Sequence, residues 1–201
     1  MNKVVSSIIL SLLILGKVFG QVTSELPKNS MQVFFGSSFH GTDNVLGVAF
    51  LAEYSHYFHK KLNYTAFAGT TIHDGIADVR YWNSDGQVVD GTVNFTTAGL
   101  QAGVAIGYSF YRSTRHHVQG SLGIFLRYQT TSNPDILVFS TTYPYMGIDY
   151  RAHSVAFGGV AAISYDYTFN NNAFIGAKTW LQYDSNDDAL NIFSFVVGKR
   201  F

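Results

Sequence analysis

Cysteine is absent from this chain of 201 residues. An exported form therefore folds without disulfides, which excludes the small disulfide-stapled secreted scaffolds. Charge is scarce too: Asp, Glu, Lys and Arg make up 13% of the residues, where a soluble domain carries about a quarter. Cations and anions cancel to a formal net charge of zero and no basic tract occurs, so no nucleic acid is expected as a partner. After the first twenty residues no apolar run approaches the ~20 residues that a spanning helix needs. Aromatic residues, by contrast, reach 16%. A surface short of charge fits lipid, and a membrane protein without helices must be a closed β-barrel, which alone then satisfies every backbone group in hydrocarbon.

Residues 1–20 read as a cleaved signal peptide. Lys3 gives a basic start, Val4 to Leu15 form an apolar core, and Val18-Phe19-Gly20 supplies small residues before a cut at Gln21. Lys17 ends the apolar run too early for a membrane anchor. Residues 21–30 form a polar lead-in, and 31–201 are short enough for one domain.

Alternation with a period of two dominates that domain. Leu100, Ala102, Val104, Ile106, Tyr108 and Phe110 interleave with Gln101, Gly103, Ala105, Gly107 and Ser109. Val118 to Gln129 and Val155 to Tyr167 repeat the scheme. Successive strand side chains point to opposite faces, so each segment has one apolar and one small-polar face. Weaker examples at Gln32–Phe39, Val45–Tyr57, Asn63–Ile72, Ala173–Tyr183 and Ala189–Phe201 bring the count to eight. The connections alternate as well. Those after Tyr57, Tyr111 and Tyr167 are turn-like, whereas His73–Asn94 and Thr130–Asp149 are long. Outer-membrane barrels pair short periplasmic turns with longer external loops in this way. Tyr54, Tyr57, Tyr64, Tyr108, Tyr165, Tyr167 and Phe169 near the turns, with Tyr128 and Tyr183 near the loops, read as interfacial girdles.

The last segment, Asn191-Ile192-Phe193-Ser194-Phe195-Val196-Val197-Gly198-Lys199-Arg200-Phe201, alternates up to a terminal aromatic. It resembles the closing strand of small eight-stranded bacterial outer-membrane β-barrel proteins. Lys199 interrupts the apolar spacing, at an edge where a long basic side chain can snorkel. The resemblance implies an all-β, eight-stranded, antiparallel, up-and-down transmembrane barrel in the bacterial outer membrane. It also implies a barrel-assembly signal on Phe193, Phe195, Val197 and Phe201, read by the assembly machinery. Outer-membrane lipid is then a partner, and no cofactor is implied.

Small and polar residues are expected to fill the lumen, because an eight-stranded barrel is just wide enough for its own side chains. Glu53, Arg127 and Lys178 are the mid-strand charges on that face. A buried charge costs several kcal/mol unless paired, so a Glu53–Lys178 interaction is expected, with Gln101, Gln119 and Gln182 completing one hydrogen-bonded plug. For enzyme chemistry, His40, His73 and His153 fall near the loop side with Asp43, Asp74, Asp78, Asp149 and Ser154. No His-x-Ser pair of the kind lipid A deacylases use shares a strand face, and adjacent His153 and Ser154 diverge. No catalytic residue and no metal ligand is assigned. In the long loops, Asp85-Gly86 signals a hairpin, so the flanking strands should continue as a protruding ribbon tipped by Tyr81 and Trp82. Ile136 to Phe139, followed by Tyr143 and Tyr145, would pair beside it. The expected function is a structural or surface-interaction role through these extracellular loops, toward a protein or other surface ligand. A lipid A deacylase or acyltransferase, and a secreted soluble lipid-binding barrel, are the alternatives.

Overall fold

The computed structural model describes residues 26–41, 45–77, 80–82, 85–90, 93–137 and 147–201. Residues 1–20, most of the lead-in, Asp43, Asp78, Val138, Phe139, Tyr143 and Tyr145 thus lie outside the described residues. All elements among them are strands: β1 (Asn29–His40), β2 (Val45–Tyr57), β3 (Leu62–Ala77), β4 (Arg80–Trp82), β5 (Val88–Asp90), β6 (Val93–Arg112), β7 (His116–Leu137), β8 (Gly147–Thr168), β9 (Ala173–Asp184) and β10 (Ala189–Arg200). Eight close into an antiparallel barrel in the order β1-β10-β9-β8-β7-β6-β3-β2, while β4 and β5 form a separate two-stranded sheet. The seam is made by β1 and β10, and at its foot Asn29 and Phe201 exchange two backbone hydrogen bonds of 2.9 Å. Phe201 thus ties the chain terminus into the wall. β1 begins at Asn29, slightly inside the expected lead-in.

The period-two faces are realised along every barrel strand. Val104, Ile106, Leu122, Ile124, Leu126, Val155, Phe157, Phe193, Phe195 and Val197 stand on the outer surface, each about half exposed. Lys199 is exposed at the periplasmic foot of β10. An aliphatic side chain moving from water to hydrocarbon gains about 1.5–3 kcal/mol, so this belt requires a bilayer around it. Tyr54, Tyr64, Tyr108, Tyr165 and Phe169 ring the outer wall near the short turns. Tyr57 does not join them. It ends β2 on the inward face and is 6% exposed.

The lumen departs from the expected small-polar filling. Phe34, Leu51, Phe67, Phe125, Val160, Phe174, Trp180, Leu190, Ile192 and Val196 pack inside the barrel as an apolar core. The Trp180 ring lies 5.2 Å from Phe34 and 4.9 Å from Phe67, centroid to centroid. Water cannot reach the middle of so narrow a barrel, and polar groups left there need partners the backbone cannot supply. Large rings therefore fill the centre, and inward glycines make room for them. A Cβ on Gly103 would lie 2.5 Å from the Phe67 ring and 2.8 Å from Phe125.

The wall is lopsided. β3, β6, β7 and β8 run 16, 20, 22 and 22 residues, against 12 or 13 in the other four barrel strands. β3 and β6 stay paired out to Ala77 and Val93. Beyond them β4 pairs with β5, Trp82 opposite Val88, with Gly86 at φ +74° in the turn. Ile136 and Leu137 pair not with that ribbon but with Ile148 and Gly147 of β8, past a bulge after Asn133. β6 and β7 part at Thr96 and Ser132, so two ribbons leave the barrel separately.

Candidate functional site in the lumen and at the two rims

Inward side chains sort into three tiers. The middle tier is the apolar core with one ion pair inside it, Phe174 and Val196 lying on the periplasmic side of Lys178. Lys178 Nζ donates to Glu53 Oε1 at 2.5 Å, both side chains being at most 4% exposed. Gln32 on β1 donates to the other carboxylate oxygen of Glu53. The Lys178 ammonium also lies 4.4 Å from the Trp180 ring centroid, close enough for cation–π attraction.

The outer tier lies toward the long loops. Arg127 on β7 forms an ion pair with Asp184 at the end of β9 and stands 3.7 Å from Asp188. His40 Nε2 is 3.2 Å from the other side of that cluster, the Asp188 carboxylate. The His40 imidazole beside it holds the Asp188 carboxyl below the usual carboxylate range, against the opposing pull of partial burial. His73 Nε2 bonds Ser38 Oγ at 2.7 Å. Gln101 and Gln182 also sit in this tier, and among the described residues their buried amides have no hydrogen-bond partner. The single plug expected from the sequence is therefore split. Gln101 and Gln182 are on the loop side of the apolar core, away from Glu53 and Lys178, and Gln119 is on the other side of it.

The periplasmic tier is the densest. Ser109 Oγ lies 2.9 Å from His117 Nε2, and His117 Nδ1 lies 2.9 Å from Asp166 Oδ2. Asp166 is in turn paired with Arg200. Tyr57 OH reaches Ser109, His117 and Gln119 at 3.0, 2.8 and 3.1 Å, and Asn63 donates to Gln119 at 2.8 Å. A bulge between Ser109 and Tyr111 on β6 shifts the alternation by one residue, which turns Arg112 inward. Its guanidinium lies 3.5 Å from the Tyr57 ring centroid and donates to the carbonyls of Pro27 and Lys60.

Ser109, His117 and Asp166 stand in the order of a nucleophile, base and orienting carboxylate. Acyl transfer also needs a site about 3 Å from the nucleophile where a carbonyl carbon can sit. Ser109 is 0% exposed, Tyr57 shares its base, and its backbone N–H is committed to Lys61 O at 2.8 Å. As arranged, the relay braces four strands. Sequence reading looked for chemistry at the loop side and passed over these residues. The signal was present, since Ser109, His117 and Asp166 each fall on an inward face beside a short turn. The histidines it did consider diverge: His40 and His73 enter the lumen, while His153 stacks outside on Tyr128, 6.0 Å between centroids.

Charge divides between the rims. Asp74, Asp85, Asp90, Asp135, Asp149, Asp184, Asp187 and Asp188 lie at the long-loop end, against Arg80, Arg127 and Arg151. Lys28, Lys60, Lys61, Arg112, Arg115, Lys199 and Arg200 lie at the short-turn end, against Asp166. A net charge of zero conceals this axis.

A closed eight-stranded barrel, apolar outside and packed with side chains within, with short turns at one rim and long ribbons at the other, defines the class: an integral β-barrel protein of the bacterial outer membrane. No family model and no curated protein matches the chain. Among solved structures it is similar to Ail, the attachment invasion locus protein of Yersinia pestis, with 13% identity and a TM-score of 0.55 over 88% of this chain and 99% of that one. The outer membrane protein OprG from Pseudomonas aeruginosa is similar at 12% identity and 0.55, over 88% and 98%. A major outer membrane protein from Thermus thermophilus stands at 11% and 0.55, over 86% and 99%. Likeness at this identity is likeness of fold.

Proposed function

We propose that this protein is a non-conducting surface-interaction barrel, whose β3–β6 and β7–β8 ribbons present an acidic platform to a cationic partner outside the cell. The observation that carries the reading is the lopsided wall: four strands outrun the bilayer on one side only, while the lumen beneath is filled by the apolar core. Extra strand length serves no purpose for spanning, which takes about 9–11 residues. Paired ribbons with free edges suit partner binding by surface contact or strand addition. Tyr81 and Trp82 belong to β4 of this platform, and Tyr143 and Tyr145 are assigned to it from sequence. Export through residues 1–20, and assembly through the outward Phe193, Phe195, Val197 and Phe201 of the closing segment, complete the proposal.

Ail has also been solved with the heparin analogue sucrose octasulfate. The preponderance of aspartate at the outer end of this chain opposes a sulfated ligand and favours a basic one. The test is binding of the nanodisc-embedded barrel to polylysine and to heparin surfaces, before and after residues 78–92 are replaced by a short glycine-rich turn. Polylysine binding should weaken about tenfold without the ribbon, with no binding to heparin by either form. Heparin binding, or polylysine binding that ignores the deletion, would sink the reading.

A further inference from the structure

The outer wall carries a recess of about 710 Å³ on β6 to β9, walled by Tyr108, Leu122, Ile163 and Leu181 and floored by Ala161, with the Phe110 ring lying over Gly120 at its turn-side edge. Ala161 is a small side chain in a belt of large ones. A second recess, of about 510 Å³, lies at the periplasmic rim below the same hairpin, between Arg115, Tyr167, Phe169 and Asn171. Both involve β7 and β8, the first with β6 and β9 beside them and the second with the turns at Arg115 and Asn171. Arg115 and Gly120 are about 16.5 Å apart at ~3.3 Å per residue, which a strand tilt of about 40° reduces to about 13 Å along the bilayer normal. One leaflet of a ~30 Å hydrocarbon core is about 15 Å deep. The apolar recess is therefore at acyl-chain level in the periplasmic leaflet, and the rim recess is at headgroup level.

The geometry points to a binding site for one anionic glycerophospholipid of the periplasmic leaflet, an acyl chain seated over Ala161 between Leu122 and Leu181 and its phosphate at Arg115. Charge complementarity chooses the occupant. Arg115 is exposed and makes no ion pair among the described residues, and the surrounding rim is basic. The rim recess is also held in shape. His116 Nδ1 is 2.9 Å from Tyr165 OH, and the Tyr167 and Phe169 rings meet edge to face at 5.4 Å. A cation fixed at the surface discriminates between anionic and zwitterionic headgroups by several-fold, while the recess supplies chain contact to both.

Native mass spectrometry of the detergent-purified barrel, after exchange into mixed micelles with phosphatidylglycerol or phosphatidylcholine, tests this. The unaltered chain should retain one phosphatidylglycerol in preference to phosphatidylcholine. Arg115→Gln should lower phosphatidylglycerol retention about fivefold, to the level of phosphatidylcholine. Ala161→Phe, filling the recess, should abolish retention of both. Thr179→Phe fills it from β9 if the first variant does not migrate as a folded barrel. Equal retention of the two lipids, no retained lipid, or retention indifferent to Arg115→Gln or to the filled recess would overturn the site. None of these outcomes bears on the ribbons at the opposite rim.

Discussion

At the scale of single residues, the most consequential contact is the ion pair Glu53–Lys178. Two charges at most 4% exposed gain little net stability over a well-packed apolar pair, but removing one strands the other. Lys178→Met should therefore destabilise the barrel by about 3–5 kcal/mol, and the double variant Glu53→Leu/Lys178→Met should recover most of that loss. Reversible urea unfolding in detergent micelles reads both, and a double variant as unstable as the single one would show that the pair does more than neutralise itself. This contact was legible in the sequence, because Glu53 and Lys178 are opposite inward charges at similar distances from their turns. The positions of Gln101, Gln119 and Gln182 were not. Each was inward, but the apolar core that separates them is assembled from Phe34 on β1, Phe67 on β3 and Trp180 on β9, which no single strand announces.

At the scale of elements, each strand must satisfy lipid on one face and a crowded lumen on the other. β6 shows both demands. Its outward residues from Leu100 to Phe110 are apolar, whereas its inward Gly103 faces the Phe67 ring, the Phe125 Cβ and the Ile124 carbonyl, the last 2.3 Å from where a Cβ would stand. Gly159 on β8 faces outward, with its nearest neighbour 4.0 Å away. Gly103→Val should cost at least about 1–3 kcal/mol through overpacking and sharply reduce the folded, heat-modifiable band on a gel. Gly159→Val should leave that band unchanged. Equal behaviour of the two variants would contradict the assignment of faces. Strict alternation reads Gly103 inward and Gly159 outward without a structure. It leaves Arg112 in the turn, whereas β6 continues through Arg112, and the bulge after Ser109 adds a residue that the partner strand does not match.

At the scale of the whole molecule, the barrel is a post packed with side chains, with different chemistry at its two ends. The apolar core fills the waist, and the outer and periplasmic tiers close over it with ion pairs. Planar bilayers containing the purified protein should show no stepwise ion conductance, and porin-like steps would mean that the tiers open. Charge runs along the barrel axis, mostly cationic at the turns and mostly anionic at the loops.

The sequence by itself determined the strand count, the antiparallel order, the outward apolar face and the terminal seam. Those follow from a period of two and from the backbone's need to bond itself in hydrocarbon, both of which are local. Only the tertiary structure decided what the lumen contains, which inward residues share a tier, and that Ser109, His117 and Asp166 meet. Inside a closed barrel the neighbours of a side chain come from strands far apart in sequence. Their heights are set by strand register and by one bulged residue, which period-two alternation does not encode.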